Sequence, residues 1–163
     1  MIGGTLANDD LYLLDLKNGE DQANWIALNI SGTTPGKRYG HTMSYVHPNL
    51  VVFGGNTGSL PVNDVWIISI ADLNSNIPLE WVKLNISEDS IPLPRVYHSS
   101  AVCTKGNAKG MMLIFGGRDG SENPLNDTWG LRKHRDGKWD WAQAPSYKTD
   151  IYPKHRFNVS QKI

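Results

Sequence analysis

The stretch "MMLIFGGRDGSENPLNDTWGLR", Met111 to Arg132, is an apolar run closed by two glycines, then a polar loop, then a second run that carries a tryptophan. Nearly the same phrase stands at Asn49 to Ser69, "NLVVFGGNTGSLPVNDVWIIS", and a clipped version of it opens the chain. Such recurrence takes precedence over any single element, because a period of about 20 to 50 residues is the mark of a repeat architecture. Three glycine pairs set the phase: Gly3 and Gly4, Gly54 and Gly55, and Gly116 and Gly117, spaced by 51 and then 62 residues. After each pair comes a polar loop and a run with an aromatic residue, Tyr12 in "NDDLYLLDL", Trp66 in "VNDVWIISI" and Trp129 in "LNDTWGLR".

The phase continues beyond that run. A second tryptophan follows in each unit, Trp25, Trp81 and Trp141, and then a proline and an arginine open the next one: "PGKRYGHTMSYV" with Arg38, "PLPRVYHSSAVC" with Arg95 and "YPKHRFNVSQKI" with Arg156. Each unit therefore holds four short β-type runs punctuated by glycine, proline and asparagine, the density of an all-β meander. The second run, "LVVF" or "MMLIF", is apolar without alternation, which predicts a strand buried on both faces. Four-stranded antiparallel sheets stacked face to face around an axis, as in a β-propeller, bury strands in that way. Glycine after such a strand permits positive φ and close approach of the neighbouring sheet, and the aromatics are expected to fill the wedge between sheets. "HRDGK", His134 to Lys138, predicts an Asp-Gly hairpin between a third and a fourth strand.

Apolar run, double glycine, spaced aromatic and spaced tryptophan together resemble the kelch repeat over essentially the whole chain. The stretches "PGKRYGHTMSYVHPNLVVFGGNTG", "MMLIFGGRDG" and above all "WGLRKHRDGKWDW" resemble the kelch region of the serine/threonine phosphatases with kelch-like repeats, found in plants and alveolate protists. That resemblance implies a kelch propeller ahead of a phosphatase domain of the protein phosphatase 1 type. In phase, residues 1–34 read as the end of one blade, 35–90 and 91–150 as full blades, and 151–163 as the first strand of another. Two full blades with parts of two others make an incomplete ring, since propellers close with about four to eight blades. Its open apolar faces and strand edges are expected to favour self-association.

Composition narrows the function. Lysine plus arginine equals aspartate plus glutamate at 16 each, so no global field steers the chain to nucleic acid or an anionic membrane. The start of the chain lacks a signal-peptide pattern, and the single cysteine, Cys103, forms no internal disulfide, so a cytoplasmic or nuclear setting is expected. Four sequons, at Asn29, Asn85, Asn126 and Asn158, are short enough to arise by chance. The phosphatase family implies two divalent metals held by Gly-Asp-x-His-Gly, Gly-Asp-x-x-Asp-Arg-Gly and Gly-Asn-His-Glu motifs. None occurs here, where no glycine precedes an aspartate. Cofactors and catalytic residues are accordingly expected outside these residues. The five histidines share no ligand spacing with each other or with Cys103, which also argues against a galactose-oxidase-like copper enzyme.

What remains is binding of a protein or peptide. Arg38, Arg95 and Arg156 recur just before the innermost strand and would line one mouth of a closed ring. In other kelch proteins, arginines at comparable positions help bind acidic peptides. Guanidinium forks suit carboxylates and phosphates, although each arginine is equally well explained as the partner of a nearby acid or carbonyl. Arg118, Asp119 and Glu122 are the charged candidates in the variable loop after the last glycine pair. His41 and His98, each three residues after an arginine, read as structural histidines, and Trp66, Trp81, Trp129 and Trp141 as core residues, not a sugar-stacking platform. The expected role is a regulatory, non-catalytic propeller segment of a signalling phosphatase. The alternatives are a substrate receptor of a ubiquitin ligase and an actin-associated scaffold.

Overall fold

The computed structural model describes residues 8–145 except 18, 74–76 and 88, so the predicted landmarks Gly3 and Gly4, the candidate Arg156 and the segment 151–163 lie outside the described residues. What is described is all-β apart from one 3-10 turn at Glu20–Gln22. The first unit contributes a two-stranded sheet, β1 (Tyr12–Asp15) against β2 (Asn24–Ala27). Next comes a sheet built from β4 (Thr42–Val46), β5 (Asn49–Phe53), β6 (Val65–Ser69) and β7 (Leu79–Lys83), each antiparallel to its neighbour. The third sheet repeats that meander with β8 (Ser99–Val102), β9 (Met112–Phe115), β10 (Thr128–Lys133) and β11 (Trp139–Gln143). The Asp-Gly hairpin joins β10 to β11, with the His134 N–H donating to the Lys138 carbonyl at 2.7 Å.

One strand was not foreseen. Residues Ile30–Ser31, here β3, leave the first unit and lie parallel to β7, so the middle sheet has five strands in the order β3-β7-β6-β5-β4. Sequence periodicity is blind to a two-residue strand whose only partner is in the next repeat. Its effect is to cap the outer edge of that sheet, which would otherwise present unpaired backbone groups.

Two apolar layers hold the sheets together. Leu50, Val52, Trp66, Ile68 and Trp81 face the first unit and meet Leu11, Leu28 and Ile30. On the other side Val51, Phe53 and Val65 meet Ile114, Trp129, Leu131 and Trp141 of the third sheet. The rings of Phe53 and Trp141 cross edge to face with centroids 4.9 Å apart, worth roughly 0.5–1.5 kcal/mol beyond the area they bury. Strand β5 thus has apolar side chains packed on both faces, as its unbroken apolar run requires. In β9 only Met112 and Ile114 are fully buried, while Leu113 and Phe115 are half-buried, because among the described residues no further sheet covers that side.

The same asymmetry corrects the expectation for the first unit. Trp66, Trp81, Trp129 and Trp141 are buried in the wedges, but Tyr12 is 48% and Trp25 69% exposed. In register, Tyr12 opposes Ala27 and Leu14 opposes Trp25, so these side chains share one face. Its counterpart in the middle sheet, Trp66, Ile68 and Trp81, is the face that packs on the preceding sheet. For β1 and β2 no preceding sheet exists among the described residues.

In both described glycine pairs all four residues have positive φ, from +66° to +91°. Gly55 donates its N–H to the Arg95 carbonyl of the next blade at 2.9 Å. A Cβ on Gly117, at φ +86°, would lie 2.6 Å from the Val96 carbonyl oxygen and 2.9 Å from the His98 nitrogen, both backbone atoms that cannot swing away. Gly137 has the same φ of +86° but open space around it. Replacing each by alanine therefore separates conformational strain from collision. Gly137→Ala is expected to cost about 1 kcal/mol and Gly117→Ala about 2 kcal/mol more, as read by urea unfolding monitored through tryptophan fluorescence.

Candidate functional site

The two described repeat arginines are not open forks at a mouth. Arg38 is 7% exposed and Arg95 fully buried, and each is used up within its own blade. Arg38 Nη1 donates to the Gly54 carbonyl at 2.9 Å and to Asp64 Oδ1 at 2.8 Å; Nη2 reaches Asp64 Oδ2 at 3.2 Å and the Pro35 carbonyl, which Nε also bonds. Every one of its five N–H donors has an acceptor. Arg95 repeats the pattern: Nη1 donates to the Gly116 carbonyl at 3.0 Å and to Asp127 Oδ1 at 2.7 Å, and Nη2 to Asp127 Oδ2 at 2.7 Å. The reading of these arginines as partners of nearby acids and carbonyls is the one this geometry realises.

The acids were missed in the sequence although they are as periodic as the arginines. Asp64 and Asp127 belong to the Asn-Asp pairs that precede Trp66 and Trp129, and each accepts that tryptophan's Nε1–H at 2.7 Å. Guanidinium, carboxylate and indole thus tie the first, second and third strands of a blade together at one end. Burial raises the pKa of both carboxyls, but hydrogen bonds from arginine and tryptophan and the arginine charge outweigh it and leave them below the usual range. In the first unit Asp10 stands in the equivalent place, bonded by Asn8 and Tyr12 side chains.

His98 joins neighbouring blades. His98 is buried; its Nε2 lies 2.8 Å from Thr42 Oγ1 of the preceding blade, and its ring meets Phe53 edge to face at 5.1 Å. Its partner is thus a side chain on the previous innermost strand. Beside it Ser44 and Ser100 hydroxyls bond at 2.8 Å. Burial, then the charges of Arg95 and His41, lower the pKa of His98 to about 3. His41 is exposed at its surface, yet partial desolvation and the charge of Arg38 lower its pKa.

What faces solvent at this mouth is a different set. The guanidinium of Arg118 lies 5.1 Å over the Tyr97 ring and 3.4 Å from the Glu122 carboxylate, and the Tyr97 ring stands 6.3 Å from that of half-exposed Tyr39. Tyr97 has φ +58° where the preceding repeat has Gly40 at +66°. A bulky residue in the left-handed region is uncommon and is held there at a cost of about 1–3 kcal/mol. Its N–H donates to the Gly40 carbonyl at 2.8 Å, so the strained residue bridges two blades. Asp119 folds inward on its loop, accepting backbone N–H groups of Ser121 and Asn123 at 2.9 Å, and so acts as a turn staple. Of the predicted loop charges, Arg118 and Glu122 present themselves outward together. Among the described residues no group of three or more histidines, cysteines or acids converges as metal ligands.

Face-stacked antiparallel four-stranded meanders, joined through paired glycines and wedged tryptophans, are blades of a β-propeller whose ring is open within the described residues. Residues 2–160 match the family described as the KLHDC2/KLHL20/DRC7 Kelch-repeats domain, and the chain belongs to the Kelch-repeat family. It is 39% identical over 153 residues, 93% of its length, to the serine/threonine-protein phosphatase BSL2 of Arabidopsis thaliana. It is 33% identical over 139 residues, 85% of its length, to Adagio-like protein 3 of Oryza sativa subsp. japonica. An F-box/kelch-repeat protein of Arabidopsis thaliana is 30% identical over 128 residues, 75% of the chain. The chain spans 14%, 20% and 25% of those relatives respectively.

Removing one member of the buried ion pair leaves a desolvated charge. Asp127→Ala is expected to lower unfolding free energy by about 3 kcal/mol, and Arg95→Met with Asp127→Leu by clearly less, in urea titrations at pH 7. Because the folded pKa of Asp127 is depressed, its contribution is complete above the unfolded value near 4 and disappears as pH falls through the folded value; the alanine variant should lose that part of the acid sensitivity. His98 acts at higher pH. Its folded pKa of about 3 lies below the unfolded value near 6.5, so its contribution is complete above pH 6.5 and shrinks as pH falls toward 3. Stability is expected to drop by about 3 kcal/mol more between pH 7 and pH 4 in the native protein than in His98→Gln.

Proposed function

We propose that this chain is part of the kelch propeller of a serine/threonine protein phosphatase, where it docks protein partners or regulates the linked catalytic domain in cytoplasmic or nuclear signalling. The observation that carries the reading is the 39% identity to BSL2 across 93% of the chain. The basic hairpin "WGLRKHRDGKWDW", which resembles that family's kelch region, supports it from within the sequence. The two divalent metals of such an enzyme belong to its phosphatase domain. The docking surface is the mouth at Tyr39, Tyr97 and Arg118. Aromatic faces there offer apolar contact, and Arg118 offers a fork for an acidic or phosphorylated side chain once Glu122 is displaced.

The second reading, a substrate receptor of a ubiquitin ligase, is favoured by the match to the F-box/kelch-repeat protein. The intact gene product separates them. The expected outcome is manganese-dependent hydrolysis of p-nitrophenyl phosphate, with Arg118→Ala leaving that turnover unchanged while weakening capture of phosphoserine peptides about tenfold. An intact protein with an F-box segment and no hydrolysis would overturn the phosphatase reading.

A further inference from the structure

The phrase "LNIS" occurs twice in phase, at Leu28 to Ser31 and at Leu84 to Ser87. Its first copy supplies β3: Ile30 and Ser31 lie parallel to Leu79 and Glu80, and the Leu79 N–H donates to the Asn29 carbonyl at 2.8 Å. The second copy forms no strand; the Ser87 hydroxyl instead bonds Asp89 at 2.8 Å. Consequently the outer edge of β7 is covered, whereas β11 ends its sheet with no further strand among the described residues. Which groups it presents follows from the ladder. The Ala144 N–H points inward to the Thr128 carbonyl at 2.9 Å, so the alternate residues Trp139, Trp141 and Gln143 direct their backbone groups outward. The same parity holds in β7, where Leu84 bonds inward and Leu79 outward.

Charge distinguishes this edge as well. From Arg132 to Asp140 the hairpin carries Arg132, Lys133, Arg135 and Lys138 against Asp136 and Asp140, whereas Ser69 to Glu80 in the preceding blade has no lysine or arginine. Lys133 lies 5.8 Å over the Trp139 ring, Arg132 is 3.0 Å from Asp140, and Arg135 has no ion-pair partner among the described residues. A chain of zero net charge has thus gathered cations beside its open strand edge. We propose that the β11 edge accepts an extended acidic segment of a partner protein as an added strand, its backbone paired with Trp139, Trp141 and Gln143 and its carboxylates met by the hairpin's cations. Backbone pairing of that kind excludes nucleic acid as the occupant. This surface lies at the rim of the blade and does not depend on the phosphatase reading or on the Arg118 mouth.

The test uses the intact protein and a fluorescein-labelled decapeptide of alternating glutamate and valine, read by anisotropy in low salt. Binding is expected, and it should weaken about tenfold in Gln143→Pro, which removes one outward N–H and no ladder bond, and similarly in Arg135→Glu, a change at an exposed turn residue that does not threaten folding. An alternating glutamate–proline decapeptide, equally charged but without the N–H groups, is expected not to bind. Equal binding of both peptides, or no effect of either substitution, reduces the site to nonspecific charge and overturns the proposal. So does peptide binding that appears only in an Ile86→Pro variant, which would give the edge to this chain's own Ile86 and Ser87. Self-association abolished by Gln143→Pro, with no peptide binding, would give it to a second copy and overturn it likewise.

Discussion

A buried guanidinium at the start of each of the two described four-stranded blades is the constraint around which the rest is arranged. Arg95, with no exposed surface, is neutralised by Asp127 and bonded to the carbonyl that follows the second strand. An unpaired charge there would be prohibitively costly, so the acid before the third strand, the glycine carbonyl after the second and the arginine before the first must converge on one point. That convergence sets strand register at the blade's end. It also turns the Asp127 carboxylate toward the indole of Trp129, which then enters the wedge with its single donor satisfied.

Satisfying the arginines internally moves recognition elsewhere. The mouth is left with Tyr39, Tyr97 and Arg118, and its stiffness comes from backbone bonds that cross between blades, Gly55 to Arg95 and Tyr97 to Gly40. Polar contacts between innermost strands, His98 to Thr42 and Ser44 to Ser100, extend the same inter-blade register toward the axis. Loops on such a frame can vary in sequence without altering the frame, which is the usual division between scaffold and binding surface.

The rim follows a different logic. An apolar blade face is covered whenever another blade stacks on it, but a strand edge is covered only if some segment reaches it. Ile30 and Ser31 reach β7 and the equivalent Ile86 and Ser87 do not reach β11, although the four-residue phrase is the same. Identical local sequence therefore produces different edges, and the hairpin with the open edge is the one enriched in cations.

Much of the fold was legible in the amino-acid sequence because it is periodic and local. Paired glycines, unbroken apolar runs such as "LVVF" and in-phase tryptophans report steric and burial requirements that each repeat meets by itself. Periodicity alone did not say that Arg38 and Arg95 are inward ion-pair partners, since an arginine's role depends on which acid lies 26 or 32 residues away in sequence but within 3 Å in space. Nor did it reveal that Tyr12 and Trp25 stand exposed, that β3 crosses to the next sheet, or that Tyr97 takes a glycine's conformation beneath Arg118. Those are decisions of packing between repeats, and a repeat's own sequence carries no record of what covers it.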